Sequence, residues 1–165
     1  MTDPIRPTDD EARALARSLI LNARFAALGV IEPATGAPMV TRIGIAPDAN
    51  GMPMALVSDL SQHTRALKAN VACSLLVGEP GARGDPLTHP RLTLQGRAAF
   101  VRHGDAEHER LAAQYLHHQP KAKLYIGFAD FSLLRVTAEA AYLNGGFGKA
   151  FVLTPADLGA PPAVA

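Results

Sequence analysis

The sequence predicts a mainly β fold with peripheral helices, built as an antiparallel barrel of about six strands. Three observations carry that expectation. From residue 25 onward the apolar residues alternate or run in short continuous blocks, not at helical spacing. Turn chemistry separates the blocks, and Asn50-Gly51 is the strongest hairpin signal among them. Helical segments are too few between the strands to cover both faces of a parallel sheet.

The elements follow in order. TDDEARALARSLILNAR reads as a helix over about 8–24, with Thr8 and Glu11 as a capping box and Ala12, Leu15, Ala16, Leu19, Ile20 and Ala23 as its packing face. FAALGVI (25–31), MVTRIGIA (39–46) and MPMALVS (52–58) then form three antiparallel strands joined by EPATGAP and PDANG. A two-turn helix over 62–69, with Ser61 as N-cap, interrupts the meander before the strand VACSLLVG. After a Gly- and Pro-rich loop, RLTLQGRAAFV turns Leu92, Leu94, Ala98 and Phe100 to one face and Arg91, Thr93, Gln95 and Arg97 to the other. Asp105 caps a helix running to about His117, Pro120 starts a further helical segment, and FSLLRVTAEAAYLN (131–144) is the last long strand. The tail from about 158 to 165 has the Pro and Ala content of a frayed end.

Composition narrows the function. A length of 165 residues, 48% hydrophobic and 19% charged, fits one folded domain over 1–165. A net charge of +1 gives no broad field for nucleic acid or an anionic membrane, so any anion site is local. The single cysteine, Cys73, lies in an apolar run and has no internal disulfide partner. No stretch has the length of a membrane span or the pattern of a secretory leader, so the expected location is cytoplasmic.

The densest chemistry lies in SDLSQHTRAL, residues 58–67. Helix N-termini expose unpaired amides and a positive dipole end. Ser58, Ser61 and Thr64 add hydroxyls, His63 an imidazole and Arg65 a guanidinium suited to phosphate. Arg42, on a strand between Thr41 and Ile43, is a neighbouring cation. The competing possibility is a capped helix with solvated Arg65 and Lys68. GGFGK (145–149) is no phosphate loop, because Leu143 and Ala150 stand where that motif needs Gly and Ser or Thr. Its glycines allow close backbone approach to chain or ligand, with Phe147 and Lys149 alongside. The six histidines lack zinc-site spacing, and no nucleophile, base and acid form a motif.

PMVTRIGIA, SDLSQHTRALKANVACSLLVGE, PRLTLQG and YLNGGFGKA, in this order between about residues 10 and 155, resemble the FMN-binding split-barrel proteins related to pyridoxamine 5'-phosphate oxidase, most closely the haem-utilisation branch. The resemblance implies a six-stranded split barrel that binds FMN at a homodimer interface. It places Arg42, Ser58, His63, Thr64 and Arg65, with Thr41 beside them, around the phosphate. Arg91 would reach the flavin from the second subunit, and Phe147 and Lys149 would lie near the ring. His63-Thr64 stands where the vitamin-B6 oxidases carry Arg-Lys, which speaks against a vitamin-B6 assignment. Haem-degrading members ligate iron through a histidine in a C-terminal extension, and no histidine follows His118 here. The expected activity is an FMN-dependent oxidoreduction of a small organic substrate, with NAD(P)H or oxygen as the second partner. The alternative is a non-catalytic FMN- or haem-binding module for storage or sensing.

Overall fold

The computed structural model describes residues 4–161. Six antiparallel strands close a barrel: β2 (Phe25–Ile31), β3 (Pro38–Pro47), β4 (Pro53–Ser58), β5 (Ala72–Val77), β6 (Arg91–Val101) and β7 (Phe131–Asn144). Going round it, β4, β3, β2, β5 and β6 follow one another, and β7 closes the ring by pairing with both β6 and β4. β8 (Ala150–Leu153) extends β7 outside the ring, and the two-residue β1 (Ile5–Arg6) pairs parallel with β8.

Alternation supplies the interior. Leu28, Val30, Leu75, Leu92, Leu94 and Leu143 point inward and are almost fully buried. Helices α1 (Asp10–Asn22) and α2 (Gln62–Ala69) join this same core through Ala12, Ala16 and Ile20 and through Ala66 and Leu67. A second apolar layer lies between the helix α3 (His108–His118) and the sheet, where Leu111 and Tyr115 meet Ala46, Met54, Leu56 and Leu133. Each buried Leu or Met of these layers contributes about 1.5–3 kcal/mol.

Several local expectations change. Asp9, not Thr8, caps α1: its carboxylate accepts the Ala12 amide at 2.8 Å, while the Thr8 hydroxyl donates to the Val152 carbonyl. A carboxylate is the stronger acceptor at a positive helix end, and Asp9 precedes the first helical residue. Asp105 does not cap α3; it accepts the Arg102 amide, and Glu107 stands at the N-cap position with no side-chain cap bond. In the PDANG turn only Gly51 takes positive φ, because Asp48 Oδ1 gathers the amides of Asn50 and Met52 and sets the turn itself. The segment after Pro120 is a five-residue 3-10 turn. At the tail, a 3-10 turn over Ala156–Leu158 buries Leu158 in the barrel core and Ala160 packs against it, so the chain is anchored as far as Ala160; 162–165 lie outside the described residues.

One strand, β3, changes partner along its length, and this shapes the site. β3 pairs with β2 from Pro38 to Gly44 and with β4 only from Ile45 to Pro47. At the change, α3 pins the backbone: Gln119 Nε2 donates to the carbonyls of Arg24 at 2.6 Å and Ile45 at 2.9 Å, and the Tyr115 hydroxyl donates to that of Gly44. Ile45 faces Ala55, so continuing that register would set Arg42 opposite Ser58. The ladder stops short of them, and the barrel is split between β3 and β4 at that level.

Candidate functional site

The turn that the sequence marks as a candidate anion site is built at this split. Ser58 ends β4 opposite Phe131, the first residue of β7. Its hydroxyl donates to Asp130 Oδ2 at 2.6 Å and accepts the Leu60 amide, while the Asp59 amide donates to the Asp130 carbonyl. Ser58 therefore shapes the turn, and its proton is committed to Asp130. Asp130 carries no motif of its own; only the β4–β7 register reveals it.

Ser61 holds the N-cap position of α2 in extended conformation, but its hydroxyl makes no cap bond. The first intrahelical bond runs from the Arg65 amide to the Ser61 carbonyl, so the amides of Gln62, His63 and Thr64 have no acceptor within the helix. The Thr64 side chain is fully buried and its Oγ1 has no partner. Its offering to an anion at the helix end is its amide, which refines the expectation of a hydroxyl contact.

His63 ties this turn to β3: its Nδ1 hydrogen bonds the Thr41 hydroxyl at 3.1 Å. Burial lowers the His63 pKa from its ordinary value, so the ring is neutral at pH 7. The bond to Nδ1 leaves Nε2 for another partner. Arg42 leaves the opposite face of the strand from Thr41, and its guanidinium lies 5.2 Å from the centre of the Phe25 ring. Arg65 donates to the Leu60 carbonyl at 3.0 Å. Among the described residues neither Arg42 nor Arg65 forms an ion pair, whereas Lys68 is paired with Asp59 at 2.8 Å. An unpaired guanidinium from Arg65 beside three unpaired helix amides suits an anion such as phosphate, and Arg42 adds a second unpaired guanidinium on the outer face of β3.

The remaining predicted residues lie elsewhere in the chain. Arg91 pairs with Asn144, the last residue of β7, and donates to the carbonyls of Leu87 at 2.8 Å and His89 at 3.4 Å. The loop to β8 follows directly, with Phe147 97% exposed and Lys149 exposed. Ser58 thus stands at one end of β7 and Arg91, Phe147 and Lys149 at the other, separated by roughly 40 Å of extended strand. One chain gathers Thr41, Ser58, His63, Thr64 and Arg65, with Arg42 at their edge. It does not bring the second group to them.

A row of outward-facing residues runs between the two groups: Arg42, Ala27, Leu76, Thr93, Tyr142 and Val152 are successive cross-strand neighbours from β3 to β8. Leu76, Tyr142 and Val152 are each more than 40% exposed. Among the described residues no helix is long and apolar enough to cross a membrane.

The family model described as "CREG, beta-barrel" matches residues 7–158. The chain belongs to the CREG beta-barrel family. This CREG beta-barrel is 37% identical over 118 residues to the chloroplastic non-canonical haem oxygenase HOZ of Arabidopsis thaliana, covering 71% of the present chain and 35% of the plant protein. It superposes with a TM-score of 0.81 on the haem-binding protein of Mycobacterium smegmatis, at 27% identity, over 94% of this chain and 61% of the other. A FAD-binding protein of Mesorhizobium loti shares the fold at TM-score 0.60 and 15% identity, over 76% and 88% of the two chains. The chain thus spans about a third of the plant relative and about three fifths of the mycobacterial one. The fold is shared with these two solved structures, and the chain's own barrel is of the split type that the sequence resemblance implied.

Proposed function

We propose that this CREG beta-barrel binds FMN between two copies of itself and acts in the cytoplasm as an FMN-dependent oxidoreductase on a small organic or heterocyclic substrate, with NAD(P)H or oxygen as the electron partner. The observation that carries the binding site is the uncapped start of α2, with Arg65 free of an ion pair beside it and Arg42, likewise unpaired, on the neighbouring strand β3. The FMN phosphate is a dianion near neutral pH, and this cradle offers amides, a neutral imidazole and guanidiniums to it. The Thr64 amide and the free Nε2 of His63 are the hydrogen-bonding groups offered to such a ligand. Phe25, exposed beneath Arg42, offers an aromatic surface beside the cradle.

The second copy follows from the separation along β7. Arg91, Phe147 and Lys149 can join the Ser58–Arg65 turn only if a partner supplies them, and the exposed row from Arg42 to Val152 gives that partner a surface to cover. When bound, the flavin supplies the redox chemistry. The chain's own part is to hold the phosphate, and with Phe147 to limit water at the ring. This accounts for a site without a protein nucleophile or a matched acid and base.

Haem is the second reading, favoured by the plant and mycobacterial relatives, which are haem proteins by name. In that case His63, neutral and half-buried at the cradle, is the candidate iron ligand and the arginines meet the propionates. The visible spectrum of the purified protein separates the two. Flavin bands that bleach with NAD(P)H and recover in air are expected. A Soret band in place of flavin would overturn the FMN assignment, and bound flavin that no nicotinamide cofactor reduces would overturn the enzymatic one.

A further inference from the structure

Midway along β7, one edge of the strand has no ladder partner among the described residues. β4 covers that edge only as far as Met54 opposite Arg135, and β8 takes it up again at Ala141 opposite Leu153. The sequence itself ends the first ladder: β4 begins with Pro53, which has no N–H to give the Val136 carbonyl. β6 supplies none either, because the Ala98 amide, across from Val136, donates to the Val71 carbonyl at 2.8 Å. The carbonyl of buried Val136 is thus left without a donor among the described residues.

This open edge lines a cavity of about 580 Å³. Met52, Ala99, Pro155, Ala156 and Ala160 give it apolar walls. The wall from the tail is held in place: Asp157 accepts Arg13 Nε at 2.7 Å and the Thr154 amide at 2.8 Å, and Arg17 donates to the Asp157 carbonyl. Asp48 also lines the cavity, with its side chain 6% exposed. Its Oδ1 accepts the amides of Asn50 and Met52, but Oδ2 meets only Arg135 Nη2 at 3.5 Å, while Arg135 Nη1 is committed to Glu107 at 2.9 Å. Both polar groups that the cavity leaves short of a partner are acceptors.

We propose that this cavity binds a small apolar amine, which turns its N–H donors to Asp48 Oδ2 and the Val136 carbonyl and its hydrocarbon body to the apolar walls. An apolar molecule without donors would bury both oxygens unpaired, so the site selects for the amine. The volume is that of small-molecule sites, about 300–1,000 Å³. Pro53 and Ser58 are the two ends of β4, so roughly 17 Å of strand separates this site from the candidate anion turn, and the proposal stands without the FMN reading.

1-Naphthylamine is the probe, and 1-methylnaphthalene, of the same shape without N–H donors, is its control. The chain contains no tryptophan, so naphthyl emission is read against a low background. Binding of 1-naphthylamine should saturate at one molecule per chain, and 1-methylnaphthalene should bind at least about tenfold more weakly. With carbon-13 in the methionine methyls, the Met52 signal should move on binding while that of Met39, which does not line the cavity, stays in place. Ala99→Phe fills the cavity from β6 and should weaken 1-naphthylamine at least about tenfold. Asp48→Asn exchanges one carboxylate oxygen for a donor and should bring the two probes within about threefold of each other. Urea unfolding shows whether these variants fold, and the first two measurements, made on the unmodified chain, decide the matter if they do not. Absent saturation, equal affinity for the two probes, an unmoved Met52 signal, or unchanged binding or preference in the folded variants would overturn the proposal.

Discussion

Replacing both Arg42 and Arg65 by alanine should lower FMN affinity by at least about a hundredfold. Each charge-assisted contact to the phosphate contributes roughly 1.5–3 kcal/mol, and the two guanidiniums lie on separate elements, β3 and α2, so their losses add. Folding should change little, because both side chains are exposed and neither has an ion pair to lose; the contact of Arg42 with Phe25 contributes about 0.5–1 kcal/mol. Quenching of flavin fluorescence measures the affinity and urea unfolding the stability. An affinity within threefold of the parent would remove the phosphate from this turn. Riboflavin gives the matching control, since without a phosphate its binding should be insensitive to the double change.

Gly96→Ala should cost about 3 kcal/mol or more of stability. Gly96 pairs with Ala138 beside the irregularity in the β6–β7 ladder, and a Cβ there would be driven into the Thr137 carbonyl oxygen and to within 3.0 Å of Val136 Cγ1. The obstructing atoms include backbone of the long strand that closes the barrel, so relief requires parting the two strands. Gly127→Ala is the comparison: a Cβ at Gly127 meets nothing within 4 Å and its φ is not positive, so that change should stay within about 0.5 kcal/mol. Equal urea midpoints for the two variants would contradict the packing account.

These two changes also mark how far the chain could be read without its structure. The strands 25–31, 91–101 and 131–144 were legible to the residue because alternation and flanking turn residues agree there. β8 and β1 were not, since four and two residues hold too little alternation to distinguish strand from loop. Asp9 was passed over for Thr8 because a capping-box pattern cannot tell which of two neighbouring oxygens faces the helix. At the site, the uncapped α2 and its arginines came from local sequence and the resemblance together. Asp130 did not, because its bond to Ser58 spans 72 positions in sequence and depends on barrel closure. Thr64 looked like a phosphate-facing hydroxyl and is instead buried, since two-turn helices must commit one face to the core. The separation of Arg91 and Phe147 from the turn became visible only with the register of β7.

That separation gives the account its most direct test. A chain carrying Arg42→Ala and Arg65→Ala lacks one half of every site, and a chain carrying Arg91→Ala and Phe147→Ala lacks the other. Each alone should bind FMN poorly. Refolded together in equal amounts, half of the dimers are hybrids, and each hybrid holds one intact site, so about a quarter of the parent's FMN-binding capacity should return. No return of tight binding in a mixture shown to contain hybrid dimers would contradict a site shared between opposite ends of two chains.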